Sequence, residues 1–310
     1  MIKKTRIALG FATMTALLSS FTALAGGGGN NDDGLPLPDT CEFNCGYANG
    51  ANPTLSSVSS QRGPYSVATT RVGSSVDGFG GGTVYFPSNL SGELATIAIS
   101  PGFTAAQSSI AWWGPVLASN GFVVITIDTN SRFDQPVSRG RQLDSALSYL
   151  IDEGKNSRSS LFNRIDENRL ATMGHSMGGG GALQSASRNR LSASLPMAPW
   201  TLGGNPYNRI EVPTMIMACE NDIVAPVGIH ARPFYNAIDG SVDKALLELN
   251  NGDHSCANGG SGRDNVLLAT YGVSWMKRFL DKDRRYSQFL CGPNHEANSG
   301  ISDYRDTCNY

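Results

Sequence analysis

The sequence predicts an α/β protein whose mainly parallel central sheet is flanked by helices. Short apolar runs of strand length alternate with longer segments in which apolar residues recur at helical spacing. Of the 310 residues, 40% are hydrophobic and 16% are charged, so the chain can bury one large core. Strands that alternate with helices pair in parallel and are covered on both faces, so we expect most strands to be buried.

The individual elements follow from apolar runs, turn residues and helical periodicity. The strands expected in order are 65–72, 83–86, 96–100, 122–127, 170–173, 195–198, 214–219 and 245–249, and the last three complete the set. The expected helices are 110–119, 139–151, 178–188 and 265–280. Residues 199–212 are only a loop and are too short for a helical cap domain. We therefore expect an open cleft, which suits a polymeric or surface-bound substrate.

The two ends of the chain differ in composition, and residues 1–25 are predicted to be a secretory signal peptide. Three basic residues precede an apolar run over residues 7–24, and Ala23-Leu24-Ala25 is a small-x-small cleavage site. A membrane anchor is the alternative, but threonines and serines interrupt the run, and we expect no stable membrane insertion. Residues 26–52 are predicted to be a flexible segment rich in Gly, Asn, Asp and Pro, and residues 53–310 the catalytic domain. The predicted location is extracellular, with the periplasm as an alternative.

Charge and cysteine content exclude several classes of function. Removing the signal peptide takes away three positive charges and moves the formal net charge from −2 to −5, so no basic patch suggests nucleic-acid binding. Six cysteines lie in the exported part, where disulfides are the default. Zinc is the lesser alternative, because the cysteine spacings form no paired C-x-x-C set and only four histidines are present. We expect no metal and no cofactor, and we expect Cys41 and Cys45 to form a local link.

A G-x-S-x-G pattern places Ser176 between two glycines and identifies it as the candidate nucleophile. An apolar run over residues 170–173 ends at Gly174, and a predicted helix begins at Gly178, so the context is strand, sharp turn and helix. Side chains at the two glycine positions would obstruct this turn. The alternative is an ordinary Gly- and Ser-rich loop. The pattern predicts a nucleophile elbow and with it an α/β-hydrolase fold.

A serine nucleophile needs a base, and the base needs a carboxylate to fix its tautomer. In hydrolases built on this elbow the acid and then the base follow the serine, each on a loop after a strand. Asp222 follows the strand at 214–219, and His254 follows the strand at 245–249. Glu220 is the alternative acid, and His230, His295 and His175 are the poorer candidates for the base. We therefore predict a triad of Ser176, Asp222 and His254.

The predicted triad has consequences for its surroundings. If Asp222 reaches His254, their loops converge, which brings Cys219 and Cys256 together as a disulfide and leaves Cys291 and Cys308 to pair across the C-terminal tail. The oxyanion needs two backbone amides, which we assign to Met177 and to Phe103 in the loop after an early strand. The Phe103 ring is expected to line the acyl site, with core packing as the alternative, and Trp200 is a candidate second wall or a loop-packing residue.

With these residues in place, the chain resembles bacterial cutinases, and most closely the secreted hydrolases of poly(ethylene terephthalate), a group of dienelactone-hydrolase-like α/β-hydrolases. The resemblance covers residues 52–310. It is carried by Gly102-Phe103-Thr104-Ala105, Trp112-Trp113-Gly114-Pro115, Gly174-His175-Ser176-Met177-Gly178, Ala198-Pro199-Trp200, Cys219-Glu220-Asn221-Asp222, His254-Ser255-Cys256-Ala257-Asn258 and Trp275-Met276-Lys277-Arg278-Phe279.

This resemblance implies a secreted serine esterase that hydrolyses polyester bonds, with the triad, oxyanion amides and two disulfides already named. It also implies that Trp200, Val224 and His175 line an aromatic-ester cleft.

Phe103 stands where relatives often carry Tyr, His175 is the cutinase-like residue, and Ser255 is the small residue of the plastic-degrading branch. A small Ser255 is expected to leave Trp200 room to change rotamer. The alternatives are a lipase or general carboxylesterase, and a non-catalytic secreted binding module. We expect a monomer.

Overall fold

A computed structural model describes residues 35–36, 45–202, 207–258, 262–292 and 298–310, and for residues 262 and 263 it describes the backbone only. The predicted signal peptide, residues 1–25, lies outside these ranges and remains a prediction. Among the described residues, no helix is both long and apolar enough to cross a membrane.

The strands of the described residues form one nine-stranded sheet in the order β1-β2-β4-β3-β5-β6-β7-β8-β9. The six strands from β3 to β8 pair in parallel, while β1, β2 and β9 pair antiparallel at the two edges. The strands are β1 Val67–Val72, β2 Gly82–Pro87, β3 Leu94–Ser100, β4 Val123–Ile127, β5 Ile165–His175, β6 Ala193–Met197, β7 Thr214–Cys219, β8 Lys244–Leu249 and β9 Ile301–Asp306. The expected mainly parallel sheet is confirmed.

Helices cover both faces of this sheet, as the alternation of strands and helices predicts. They are α1 Leu55–Ser59, α2 Trp113–Ser119, α3 Pro136–Lys155, α4 Met177–Ala186, α5 Ala231–Ala237 and α6 Gly262–Phe279. Alternate side chains of β3 enter two separate cores, because successive residues of a strand point to opposite faces. Ile97 and Ile99 pack in the cluster that contains Trp113 of α2 and Trp275 of α6. Ala98 packs in the cluster that contains residues of α3, α4 and α5.

Parallel pairing places the carboxyl ends of β3, β5, β7 and β8 at one edge of the sheet, where ligands bind in open α/β folds. The residues that follow these strands include Phe103, Ser176, Asp222 and His254. Between β6 and β7 the described residues contain one short 3₁₀ turn, Tyr207–Arg209, and no cap domain. The chain therefore has the α/β-hydrolase architecture, and the candidate site lies at the loop-bearing edge.

The expectation that the strand at 245–249 completes the sheet is wrong. β9 adds to the edge of β8 in antiparallel pairing, with Tyr304 opposite Leu247. Its sequence, Ile-Ser-Asp-Tyr-Arg-Asp, is polar and partly exposed, because an edge strand is buried on less of its surface. The apolar-run criterion that identifies buried strands therefore does not detect it.

Described parts of the segment that we predicted to be flexible contact the catalytic domain. Leu35 is fully buried and packs in the core cluster on the α3 and α4 side. The ring of Tyr47 lies 3.8 Å from the Arg169 guanidinium carbon. Arg285 donates hydrogen bonds to the Asn49 and Gly50 carbonyl oxygens. The boundary at residue 52 and the flexibility of the rest of the segment stay predictions.

Candidate active site

Ser176 occupies a sharp turn between β5 and α4, with φ 55° and ψ −119°. Non-glycine residues adopt positive φ only where surrounding structure enforces it. A Cβ added to Gly174 would lie 2.3 Å from the Gly178 carbonyl oxygen, and one added to Gly178 would lie 2.2 Å from the Ser100 carbonyl oxygen. Both glycines are therefore required by the close approach of helix and strand, and the turn has the geometry of a nucleophile elbow.

Three side chains form a continuous chain of hydrogen bonds at the loop-bearing edge. The Ser176 Oγ lies 2.8 Å from His254 Nε2, and His254 Nδ1 lies 2.6 Å from Asp222 Oδ2. Asp222 and Ser176 are buried, while His254 is partly exposed. The structure thus brings together the predicted nucleophile, base and acid. The alternative acid, Glu220, instead accepts a hydrogen bond from the Asn251 amide.

The Asp222 carboxylate is held as an anion by its hydrogen bonds. Its Oδ1 accepts from the amides of Val224 (2.8 Å) and Ala225 (2.7 Å), which leaves Oδ2 for His254. Burial acts to raise the pKa of Asp222, but the hydrogen bonds from His254 and the two amides outweigh it and hold the pKa below its ordinary value. An ionised Asp222 fixes the tautomer in which His254 Nε2 can accept the serine proton.

Disulfides join Cys219 to Cys256, with 6.3 Å between their Cα atoms, and Cys291 to Cys308, with 5.7 Å. Cys219 ends β7 just before Asp222, and Cys256 follows His254 by two residues, so the first disulfide ties the loop of the acid to the loop of the base. Cys41 lies outside the described residues, and its pairing with Cys45 stays a prediction.

The two expected oxyanion donors lie on either side of the elbow. Met177 is the first residue of α4, and the first amides of a helix have no intrahelical partner. The Phe103 amide donates no backbone hydrogen bond within the described part of the chain. An added Cβ at Gly102 would lie 3.1 Å from the Ser176 Cβ, which shows how closely this loop approaches the nucleophile. These positions can supply two donors to one oxyanion.

His175, which we expected to line the cleft, is only 4% exposed. Its Nε2 donates a hydrogen bond of 2.7 Å to the backbone carbonyl oxygen of His254. Burial, aided by the nearby His254, lowers the pKa of His175 to about 4, so the ring is neutral at neutral pH. The structure therefore places His175 behind the base rather than on the open surface.

The other expected cleft residues are more accessible. The Phe103 side chain is 44% exposed and Val224 is 51% exposed. Trp200 is partly exposed, and its ring centroid lies 6.1 Å from that of His230. Ser255 is exposed, and its Oγ donates to Asp253 in the same turn.

Sequence reasoning assigned no role in the cleft to two neighbours of the site. Phe133 is 66% exposed and packs edge-to-face on Phe103, with 5.6 Å between ring centroids. His230 lies between Trp200 and Phe234, whose ring is 5.8 Å away. The loops after β4 and β7 carry these residues, and no motif marks them. Their position at the carboxyl ends of parallel strands is the one signal in the sequence that could have indicated them.

Exposed apolar side chains collect on the loops at this same edge of the sheet. Such residues follow the carboxyl ends of β3, β4, β6 and β7, and they are Phe103, Phe133, Leu202, Ile223, Val224 and Ile229. We call them the apolar rim. Contiguous exposed apolar surface on a globular protein commonly marks a binding site.

Among the described residues, Cys291, Asp306 and Cys308 lie close enough together to be considered as metal ligands. The two cysteine sulfur atoms are already bonded to each other in a disulfide. The candidate active site instead has the parts of a serine hydrolase: an elbow serine, a histidine and an aspartate in hydrogen-bond contact, and two amides beside the serine.

Comparisons with known proteins define the family. Residues 42–309 match the family described as "PETase: PET hydrolase-like". A bis(hydroxyethyl) terephthalate hydrolase from Streptomyces coelicolor is 51% identical over 265 residues, which are 84% of this chain and 82% of that protein. Cutinase est1 from Thermobifida alba is 50% identical and cutinase cut1 from Thermobifida fusca is 47% identical, each over 84% of this chain and over 86% and 80% of the relative. The chain belongs to the PET hydrolase-like family, whose named members here are carboxylic ester hydrolases.

Proposed function

We propose that this protein is a secreted serine esterase that hydrolyses the ester bonds of polyesters, including poly(ethylene terephthalate), through an acyl-enzyme intermediate. The observation that carries the proposal is the unbroken hydrogen-bond chain from Ser176 Oγ through His254 to Asp222. The match to the PET hydrolase-like family and the similarity to a bis(hydroxyethyl) terephthalate hydrolase and to cutinases support the substrate class.

In the proposed acylation step, the Ser176 Oγ attacks the ester carbonyl carbon while its proton moves to His254 Nε2. The negative charge that develops on the carbonyl oxygen is stabilised by the amides of Phe103 and Met177. The tetrahedral intermediate then breaks its bond to the alkoxy group, which receives the proton from His254 and leaves as an alcohol. Asp222 stabilises the imidazolium during this step.

Deacylation reverses the same proton path with water as the nucleophile. His254 removes a proton from water, the resulting hydroxide attacks the acyl carbon, and the serine oxygen leaves with the proton that His254 returns. The products are a carboxylic acid and free Ser176. No cofactor is required for any of these steps.

The apolar rim and the absence of a cap domain in the described residues support a polymeric substrate. A solid polyester presents a flat apolar surface, which an exposed rim can contact while one ester enters the site. Two alternatives remain as test outcomes: a lipase or general carboxylesterase, and a binding module without activity. We also propose that the protein is a monomer. We further propose that it leaves the cell after cleavage following Ala25, and mass spectrometry of protein from the culture medium tests the cleavage.

Labelling with a serine-reactive phosphonate tests the mechanism. We expect the reagent to modify Ser176 and the Ser176→Ala protein to lose hydrolysis of p-nitrophenyl butyrate. Ser187→Ala is the matched control, because Ser187 lies at the other end of α4 and its Oγ donates to the Gln184 carbonyl oxygen in its own turn. Retained esterase activity in Ser176→Ala would refute the mechanism, and inactivity of the wild-type protein would favour the binding module.

Comparison of substrates tests the class of ester. We expect release of acid from polyester films to exceed release from long-chain triglyceride emulsions at equal enzyme concentration. The reverse order would favour a lipase, and hydrolysis of short soluble esters alone would favour a general carboxylesterase.

A further inference from the structure

Arg139 is a fully buried cation in the first turn of α3. Its guanidinium donates three hydrogen bonds, and all three acceptors are backbone carbonyl oxygens: Asp134 at 2.7 Å, Pro101 at 3.0 Å and Arg132 at 2.9 Å. Among the described residues no carboxylate forms an ion pair with it. A buried charge is costly unless its donors are satisfied, so this arrangement must be maintained by the surrounding backbone.

The acid whose charge acts on Arg139, Asp134, is engaged elsewhere. The Asp134 carboxylate accepts hydrogen bonds from the Ser131 amide and from the Gln142 side chain. Burial lowers the pKa of Arg139 to about 10, with the Asp134 charge acting in the opposite direction, so the guanidinium is charged at neutral pH. Charged donors form the stronger class of hydrogen bond to carbonyl oxygens.

Two of these carbonyls hold the loop that carries the Phe103 amide. Pro101 precedes Phe103 by two residues and bonds directly to Arg139. On the other side of Phe103, the Thr104 amide donates a hydrogen bond of 2.8 Å to the Arg132 carbonyl oxygen, which also accepts a hydrogen bond from Arg139. Thr104 has a φ of 60°, a backbone conformation that needs such support. The loop is therefore tied to one guanidinium both before and after Phe103.

Arg139 also lies against the helix that carries the second donor. The Pro101 carbonyl oxygen is 2.4 Å from an added Cβ at Gly178, in the first turn of α4. A Cβ added to Gly181 would lie 2.9 Å from the Arg139 Cβ, so α3 and α4 pack closely at this residue. The Pro101 carbonyl is thus enclosed between Arg139 and the helix that begins with Met177.

We infer that Arg139 is a positioning residue that fixes the Phe103 amide relative to the Met177 amide, so that both can donate to one oxyanion. It acts through the carbonyls of Pro101 and Arg132 and does not contact the substrate. This inference depends on the proposed esterase mechanism.

Substitution of Arg139 tests this role in the full-length enzyme. For Arg139→Gln we expect kcat for p-nitrophenyl butyrate to fall about 10- to 100-fold. This fall does not exceed the loss in kcat that removal of a whole oxyanion donor causes. KM is expected to change less than about twofold, because the loop interaction matters most when charge develops on the carbonyl oxygen. Inhibition by phenylboronic acid, which forms a tetrahedral adduct on the serine, is expected to weaken in parallel with kcat.

Arg139→Lys provides a second variant that keeps the positive charge and most of the side-chain volume. One ammonium group lacks the planar fork that reaches separate carbonyls, so we expect an intermediate kcat. The pH midpoints of kcat/KM are expected to match the wild type in both variants, because the triad is unchanged. These readouts apply to Arg139→Lys even if Arg139→Gln does not fold.

Arg169→Gln is the matched control. Arg169 is only 3% exposed and is bonded to Asp166 and Asp281, in the amino-terminal half of β5 and away from the end that leads to Ser176. The Arg169→Gln variant is expected to be less stable than the wild type. The protein that remains folded is expected to have the wild-type kcat. Unchanged kcat and boronate affinity in folded Arg139 variants, or the same kcat loss in Arg169→Gln, would overturn the inference. Failure of the proposed function is distinct, since it would appear in the wild-type protein as no hydrolysis and no labelling of Ser176.

Discussion

His175 and His254 lie with ring centroids 4.9 Å apart, and His175 donates to the backbone carbonyl oxygen of His254. The residue directly before the nucleophile therefore supports the backbone of the base. Both catalytic loops share this contact, which couples the elbow to the loop after β8. Because the donor is a buried neutral imidazole, protonating it would place an unpaired charge in a buried site.

We predict that His175 makes the protein less stable to acid. The unfolded histidine has a pKa near 6.5, and the folded one is lowered to about 4, chiefly by burial. Between these values the unfolded chain binds the proton and the folded chain does not, so stability falls as pH decreases from about 6.5 to 4. His175→Gln keeps an N–H donor. We expect this variant to lose about 2 to 3 kcal/mol less of its free energy of unfolding than the wild type does between pH 7 and 4.5. Urea denaturation at both pH values measures this, and parallel losses in the two proteins would contradict it.

The two disulfides are predicted to differ in their effect on catalysis. The cysteines are separated by 37 positions in the Cys219–Cys256 disulfide and by 17 in Cys291–Cys308, so chain entropy predicts stability losses of about 4 and 3 kcal/mol in the double Cys→Ala variants. Only the first joins the loops of Asp222 and His254. We expect kcat to fall in Cys219→Ala/Cys256→Ala and to remain at the wild-type value in Cys291→Ala/Cys308→Ala, both assayed well below their melting temperatures. Equal kcat in the two variants would show that the first disulfide serves stability alone.

Gly178→Ala is predicted to disable the site. Its Cβ would lie 2.2 and 2.4 Å from the Ser100 and Pro101 carbonyl oxygens, so α4 and the oxyanion loop would have to separate. Misplacement of catalytic groups by about 1 Å can reduce rate about 100-fold, and we expect a loss in kcat of that order. Gly240→Ala is the control, because an added Cβ there contacts no atom within 4 Å. Wild-type kcat in a folded Gly178→Ala protein would contradict the proposed geometry.

Ser255→Phe is predicted to lower turnover of polyester film more than turnover of p-nitrophenyl butyrate. Ser255 is exposed, and His230 already lies beside Trp200, so an added aromatic ring is expected to restrict the rotamers of Trp200 further. Parallel assays on film and on the soluble ester measure the ratio. Ser255→Thr serves as a small-residue control, and unchanged film turnover in Ser255→Phe would count against a role for space around Trp200.

The parts of the fold and site that the sequence predicts are those with strong local chemistry. The parallel strands are continuous apolar runs, and the G-x-S-x-G turn restricts residues 174–178 by steric contact. The order of serine, acid and base then favours His254 as the base and limits the acid to Asp222 or Glu220. These inferences need only the chain order and the requirements of a buried sheet.

The remaining features depend on contacts between distant segments. Arg139 is charged and would be expected on the surface, yet the carbonyls of residues 101, 132 and 134 create a buried site for it. His175 reads as a cleft residue, but the loop of His254 covers it. β9 is recognised only through its pairing with β8.

The position of β9 has a consequence for the order of assembly during synthesis. The strand that precedes the base, β8, exposes the amides and carbonyls of one edge until residues 301–306 have emerged and paired with it. An open edge of this kind promotes pairing between separate chains. A nascent chain that already holds all three catalytic residues therefore remains prone to aggregation until β9 is available. Truncations before Ile301 are expected to yield insoluble rather than merely inactive protein.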